Sequence, residues 1–101
     1  MADTQLGILV TKHANLAHIS GIIRAARSAG HPVRVFLNDE GVRFSLDPGF
    51  LALLSLEGVA VAVCDHFREK LGIEQRSEGI TYGSQYDNAV MMHDSERVLV
   101  F

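Results

Sequence analysis

The pattern of apolar and polar residues changes its period several times along the chain. Short continuous apolar runs are typical of strands that are buried on both faces of a sheet. Between these runs, apolar residues recur at three- and four-residue spacing, which indicates helices with one buried face. The predicted strands cover residues 6–10, 33–37, 59–64, 79–83 and 97–101.

The predicted helices begin and end at residues with known capping preferences. Asn15 is a candidate N-cap for the first helix, and Gly30 provides its stop signal. Asp47 is a candidate N-cap for a second helix, Asp65 for a third, and Ser84 opens a capping box for the last. No element is predicted for residues 42–46.

Strands and helices alternate along the whole chain. Such alternation indicates right-handed crossovers between parallel strands, with helices that cover the sheet. The chain of 101 residues is too short for a second domain of ordinary size. We therefore predict one α/β domain over residues 1–101, an open, doubly wound parallel sheet of about five strands with helices on both faces.

Composition narrows the classes of protein that fit. The chain is 48% hydrophobic and 21% charged, as in globular domains, and carries a net charge of −3 without a basic run, so nucleic acid is not an expected partner. No run approaches the ~20 apolar residues of a membrane span, and the polar first residues lack the layout of a signal peptide. The single cysteine, Cys64, favours a reducing cytoplasm.

Candidate chemistry lies where the strands end. In open α/β sheets, ligands bind beyond the carboxyl ends of the strands, where the strand order reverses. If the first and third strands are neighbours, as in a 2-1-3-4 order, His13 and Cys64 share one crevice. The candidate residues that follow the first three strands are Lys12, His13, Asn38, Asp39, Cys64, Asp65 and His66.

Two interpretations of Cys64 stay open. At the junction of a strand with a helix N-terminus, unpaired amides favour the thiolate, and His13 would add positive charge or move a proton. The carboxylates of Asp39 and Asp65 would oppose this. Alternatively, Cys64 is a small core hydrophobe that ends a valine-rich strand.

Several kinds of cofactor site are disfavoured. The chain has neither of the glycine-rich phosphate-loop patterns and no G-x-S-x-G nucleophile elbow. The spacing of Cys64 and His66 is not one that zinc sites use. We therefore expect neither a metal ion nor an organic cofactor.

Five segments carry a resemblance to a known family, namely residues 36–42, 58–64, 71–73, 79–84 and 94–101. Together they resemble the DsrE/DsrF-like family. The resemblance implies a flavodoxin-like sheet, a cytoplasmic location and small oligomers, often trimers or hexamers. In the sulfur-relay branch of that family, the cysteine after the third main strand carries a persulfide, and Cys64 occupies this position.

The leading hypothesis is a cytoplasmic sulfur carrier or sulfurtransferase-like subunit. Cys64 would accept sulfane sulfur and pass it to a cysteine of an acceptor protein or a paralogous subunit. His13 would stabilise the thiolate or shuttle the proton, with Asn38 and the amides of Asp65 and His66 as polar supports. The alternative is a non-catalytic, oligomeric binding module for a small anion or partner protein, in which Cys64 is structural.

The helix after Asp47 predicts self-association. Its body is apolar nearly all the way round, and a domain of this size has limited interior. We therefore expect a homo-oligomer whose interface includes Phe50, Leu53, Leu54 and Leu56.

Overall fold

The structure, a computed structural model, describes residues 4–101. Residues 1–3 of the predicted domain lie outside the described residues. The strands are β1 (Leu6–Val10), β2 (Val33–Leu37), β3 (Val59–Cys64), β4 (Ile80–Gly83) and β5 (Arg97–Val100). The helices are α1 (Leu16–Ser28), α2 (Pro48–Leu51), α3 (Asp65–Lys70) and α4 (Gln85–Asp94), with 3₁₀ segments at Asp39–Leu46 and Ala52–Ser55.

All five strands form one parallel sheet, so the predicted fold class is confirmed. The strand order is β4-β3-β2-β1-β5. The first three strands have the predicted bounds, and the last two begin or end one residue inside the predicted ranges. The 2-1-3-4 order on which one expectation depended is wrong, because β2 lies between β1 and β3.

The strand order determines which face of the sheet each helix covers. From β1 to β4 the chain moves across the sheet in one direction, so right-handed crossovers put α1, α2 and α3 on the same face. The chain then returns past β1 to β5, which puts α4 on the opposite face. We call these the α1 face and the α4 face.

The main core lies on the α1 face. Every second residue of the central strands points into it, as expected for a pleated strand. α1 contributes Ile19 and Ile23, and the irregular segment after β2 contributes Val42 and Phe44. The strand residues of this core are Ile8, Val10, Val33, Val35, Leu37, Val61 and Val63.

The apolar helix after Asp47 is shorter than predicted. It is α2, four residues long, and it continues as a 3₁₀ segment to Ser55. Phe50 and Leu53 are fully buried in the core of this one chain. The apolar residues of this segment therefore fill the interior, and these two cannot form an interface between copies.

The predicted caps are confirmed in part. The Asp47 carboxylate accepts the Gly49 amide at 2.9 Å, and Ser84 forms the predicted capping box. Asn15 stands at the start of α1 in a left-handed conformation (φ 69°) without a side-chain cap bond. The prediction for Asp65 is wrong, since Cys64 occupies the N-cap position and Asp65 lies inside α3.

No helix within residues 4–101 combines the length and the apolar character needed to cross a bilayer.

Candidate functional site

Cys64 lies at the carboxyl end of β3, on the α4 face. The residue is 3% exposed and packs in a small cluster with Phe36 of β2 and Met91 of α4. Partly buried Phe67 also contacts this cluster. The thiol therefore lies at the carboxyl ends of the strands, as predicted, but the ring of Phe36 and the thioether of Met91 cover it.

His13 does not share a crevice with Cys64. The expectation required β1 beside β3, and the intervening β2 separates the ends of these strands. His13 instead lies edge-on to the ring of Phe44, with centroids 4.7 Å apart, and its Nε2 is 3.7 Å from Oδ2 of Asp47. The imidazole of His13 therefore lies against the residues that precede α2, on the α1 face. Lys12, the preceding residue, is exposed.

Asn38 is a polar neighbour that the strand order does bring to the level of Cys64. Cys64 pairs with Gly83 of β4, and the register of β2 with β3 puts Asn38 on the other side of the same level. The Gln85 amide donates to Oδ1 of Asn38 at 3.1 Å. This bond joins the end of β2 to the start of α4, across the carboxyl end of β3.

Asp39 and His66 are exposed at the same edge of the sheet. Asp39 begins the 3₁₀ segment in a left-handed conformation (φ 51°), which aspartate tolerates better than most residues. The imidazole of His66 lies edge-on to Phe67, with centroids 5.8 Å apart. Neither residue belongs to the cluster that covers Cys64.

The Asp65 carboxylate forms ion pairs with two arginines and does not cap the amides of α3. Arg68 Nε donates to its Oδ1 at 2.5 Å, and Arg76 Nη2 lies 3.4 Å away. The hydrogen bond from Arg68 lowers the pKa of the Asp65 carboxyl below its ordinary value, and the same bond raises the pKa of Arg68. Arg68 also donates to the Ile73 carbonyl at 2.7 Å, so Asp65 anchors the segment between α3 and β4.

A groove on the α4 face was not predicted. It has a volume of about 360 Å³ and lies between α4 and the strands β2, β3 and β4. Phe36, Ala62 and Met91 line it and also contact the Cys64 cluster. The sequence signal is the alternation of alanine with valine along β3, which puts small side chains on one face only.

The histidines and carboxylates at the carboxyl ends of the strands do not converge on Cys64. Within residues 4–101, no group of three or more His, Cys, Asp and Glu side chains is arranged to hold a metal ion. His13 and Cys64 stand at the ends of non-adjacent strands.

Comparison with known proteins identifies a solved structure with the same fold. No protein-family model matches the chain, and no curated protein matches it either. The crystal structure of the ychN protein from E. coli superimposes with a TM-score of 0.73 at 17% sequence identity, covering 98% of this chain and 99% of that one. At this identity the likeness shows the fold of the chain alone.

Proposed function

We propose that this protein carries sulfane sulfur on Cys64. Three observations support the proposal. The thiol ends a central strand at the carboxyl edge of the sheet, where ligands bind in open α/β folds. The fold is like that of the ychN protein. Cys64 follows the third strand, the position at which the cysteine carries a persulfide in the sulfur-relay branch of the DsrE/DsrF-like family that the sequence resembles.

The proposed chemistry is a balanced exchange between thiols and persulfides. The Cys64 thiolate attacks the outer sulfur of a donor persulfide, R–S–SH. A bond forms between that sulfur and Sγ of Cys64, and the donor S–S bond breaks. The leaving thiolate takes up the proton that the Cys64 thiol released, and it departs as R–SH. An acceptor thiolate then takes the same sulfur from Cys64–S–SH in the reverse sense, so that neither an oxidant nor a reductant is consumed.

The surroundings of Cys64 suit storage of a persulfide. Phe36 and Met91 exclude water from the sulfur, and a thioether is polarizable enough to pack favourably against it. Asn38 is the polar neighbour at the same level, and its side-chain amide is a hydrogen-bond donor for a persulfide anion. These residues replace His13 in the proposal.

Access to Cys64 requires movement of α4, and the packing of this helix supports such movement. Met91 is the one buried residue of its ten. α1, in contrast, buries Ile19 and Ile23 and lies over a continuous core. We propose that α4 opens locally to admit donor and acceptor.

The carrier needs partners. We propose a sulfur-acceptor protein or paralogous subunit, and a homo-oligomer in which Phe50 and Leu53 take no part because both are buried. Leu46 is 40% exposed, and Leu54 and Leu56 are half-buried, so these side chains are available for self-association. Sedimentation equilibrium of Leu54→Glu against wild type tests this, and a monomeric wild type would exclude it.

The binding-module interpretation is a second candidate function. The groove on the α4 face is the observation that favours it. If Cys64 is structural, its thiol reacts only when the protein is denatured.

Polysulfide treatment of native protein tests the carrier. We expect intact mass to increase by one sulfur, reversibly with dithiothreitol, and Cys64→Ala to take up none. Met91→Ala should accelerate both alkylation and sulfur uptake, because it removes the side chain that covers the thiol. The matched control is Met92→Ala on the same helix, since Met92 is 43% exposed. Alkylation of the native thiol without any sulfur adduct would reject the carrier.

A further inference from the structure

The groove on the α4 face exists because small side chains lie beside a helix that does not cover them. Ala60 and Ala62 of β3 point to this face, and α4 packs over β1 and β2 rather than over β3. Valines at the same positions would fill the space with branched side chains. The result is a flat apolar floor open to solvent along one side of α4.

The groove carries charges of opposite sign at its two ends. Arg34 stands level with Ala60 near the amino ends of the strands, where its side chain is exposed. Within residues 4–101 it has no salt-bridge partner. Asp87 lies over Gly83 at the carboxyl ends, two strand repeats away, about 13 Å along the sheet.

The two charged groups are not equivalent. The Asp87 carboxylate accepts the Ser84 amide at 2.8 Å as part of the capping box, so its hydrogen-bonding capacity is partly used by the protein. The Arg34 guanidinium, which has five donors, is free to pair with an anion. Between them lie Phe36, Met91 and the hydroxyl of Thr81.

We infer that this groove binds an organic monoanion with a flat apolar body. The anionic group would pair with Arg34, and the body would lie on Phe36 and Ala62 along the sheet. Tyr86, 75% exposed at the rim, offers an aromatic face to the same ligand. A second anionic group at the far end would meet Asp87 and be repelled.

The dimensions fit a small organic molecule. A volume of about 360 Å³ is within the range of ligand pockets and far exceeds an inorganic anion. The site does not depend on the chemistry proposed for Cys64, because the thiol is covered and is not among the groove's lining residues. An experiment that excludes ligand binding in the groove would therefore leave the sulfur-carrier proposal untouched, and the reverse also holds.

Fluorescent naphthalene derivatives provide the test, since the chain has no tryptophan to interfere. We expect naphthoate to bind with a dissociation constant of about 0.1–1 mM, typical of a small ligand in an open groove. The neutral naphthamide and the naphthalene dicarboxylate should each bind about threefold to tenfold more weakly, the first without the ion pair and the second through repulsion by Asp87.

Three variants locate the site. Arg34→Gln should weaken naphthoate about threefold to tenfold and leave naphthamide unchanged. Ala60→Ile should weaken both probes by filling the floor. Arg97→Gln, an exposed arginine on β5 that is not among the groove's lining residues, should change neither, and Cys64→Ala should bind as wild type.

Equal affinities for naphthoate and naphthamide, or unchanged binding by Arg34→Gln, would overturn the proposal. So would the absence of binding at about 5 mM probe, a concentration above the expected dissociation constant. A dimer that buries Arg34 and Tyr86 and excludes the probe would also overturn it, by assigning the groove to a second copy of the chain.

Discussion

The two faces of the sheet are built differently from the same five strands. On the α1 face, valine, isoleucine and leucine point from every central strand into a core closed by α1, α2 and α3. On the α4 face, the buried cluster within residues 4–101 consists of Phe36, Cys64 and Met91. A sheet of five strands is about 19 Å across, and one helix with its side chains covers about 10–12 Å of it.

From this difference we infer that the α1 face provides most of the stability and that the α4 face gives ligands access to the protein. Burial of apolar surface is the main favourable term in folding, so the α1 face supplies most of the free energy. On the α4 face, the Cys64 thiol is covered by α4, a helix with one buried residue, and the groove lies beside that helix. Regions that must open for ligands are drawn from the less stable parts of a fold.

Truncation of the α1-face core should have the largest effect. Phe50 is fully buried and stacks on Phe44, with ring centroids 5.3 Å apart. We expect Phe50→Ala to lower the free energy of unfolding by about 3–5 kcal/mol, because it removes apolar contacts and leaves a cavity. Urea denaturation measures this.

Its control is an aromatic truncation on the other face. Tyr86 is 75% exposed, so Tyr86→Ala should change the free energy of unfolding by less than about 0.5 kcal/mol. Similar losses for the two variants would mean that the faces do not differ in the way proposed.

Hydrogen exchange compares the two faces without mutation. We expect the amides of α4 to exchange at least about tenfold faster than those of α1, since α4 can open locally while α1 opens with the core. NMR exchange in the native protein measures both helices at once. Equal protection of α1 and α4 would remove the proposed route to Cys64.

The sequence predicted the α1 face better than the α4 face. The apolar run of residues 59–64 correctly indicates a strand, and the caps at Asp47 and Ser84 are local signals. No local sequence signal specifies the order of the strands, because that order depends on how the crossover helices pack on the sheet. The assumption that β1 lies beside β3 was wrong, and it placed His13 with Cys64.

The capping box should matter moderately for the α4 face. Ser84 Oγ accepts the Tyr86 amide at 3.2 Å in the first turn of this helix. We expect Ser84→Ala to cost about 1 kcal/mol and to raise exchange in α4 selectively. Ser28→Ala, at the exposed end of α1, is the matched control and should cost less than about 0.5 kcal/mol. Uniform acceleration across both helices would contradict a local role for the cap.

The smallest effect concerns the polar contacts that close the carboxyl edge of the α1 face. Asp65 holds Arg68 and Arg76, and Arg76 lies over the ring of Tyr82, 4.9 Å from its centroid. Because the bond from Arg68 lowers the pKa of Asp65 in the folded protein, its ionised form stabilises the fold. That contribution is fully present above the ordinary carboxyl pKa of 3.8 and is lost as the pH falls through the lowered folded value.

Asp65→Asn should therefore lower Tm at neutral pH, and its difference from wild type should shrink as the pH falls below about 3.8. Glu78→Gln also removes one negative charge, from an exposed position without a salt-bridge partner among residues 4–101, and so serves as the reference. Thermal scans at several pH values measure the difference between the two variants. A difference that grows towards acid pH would have the wrong sign for a stabilising carboxylate and would show that Asp65 does not anchor this edge.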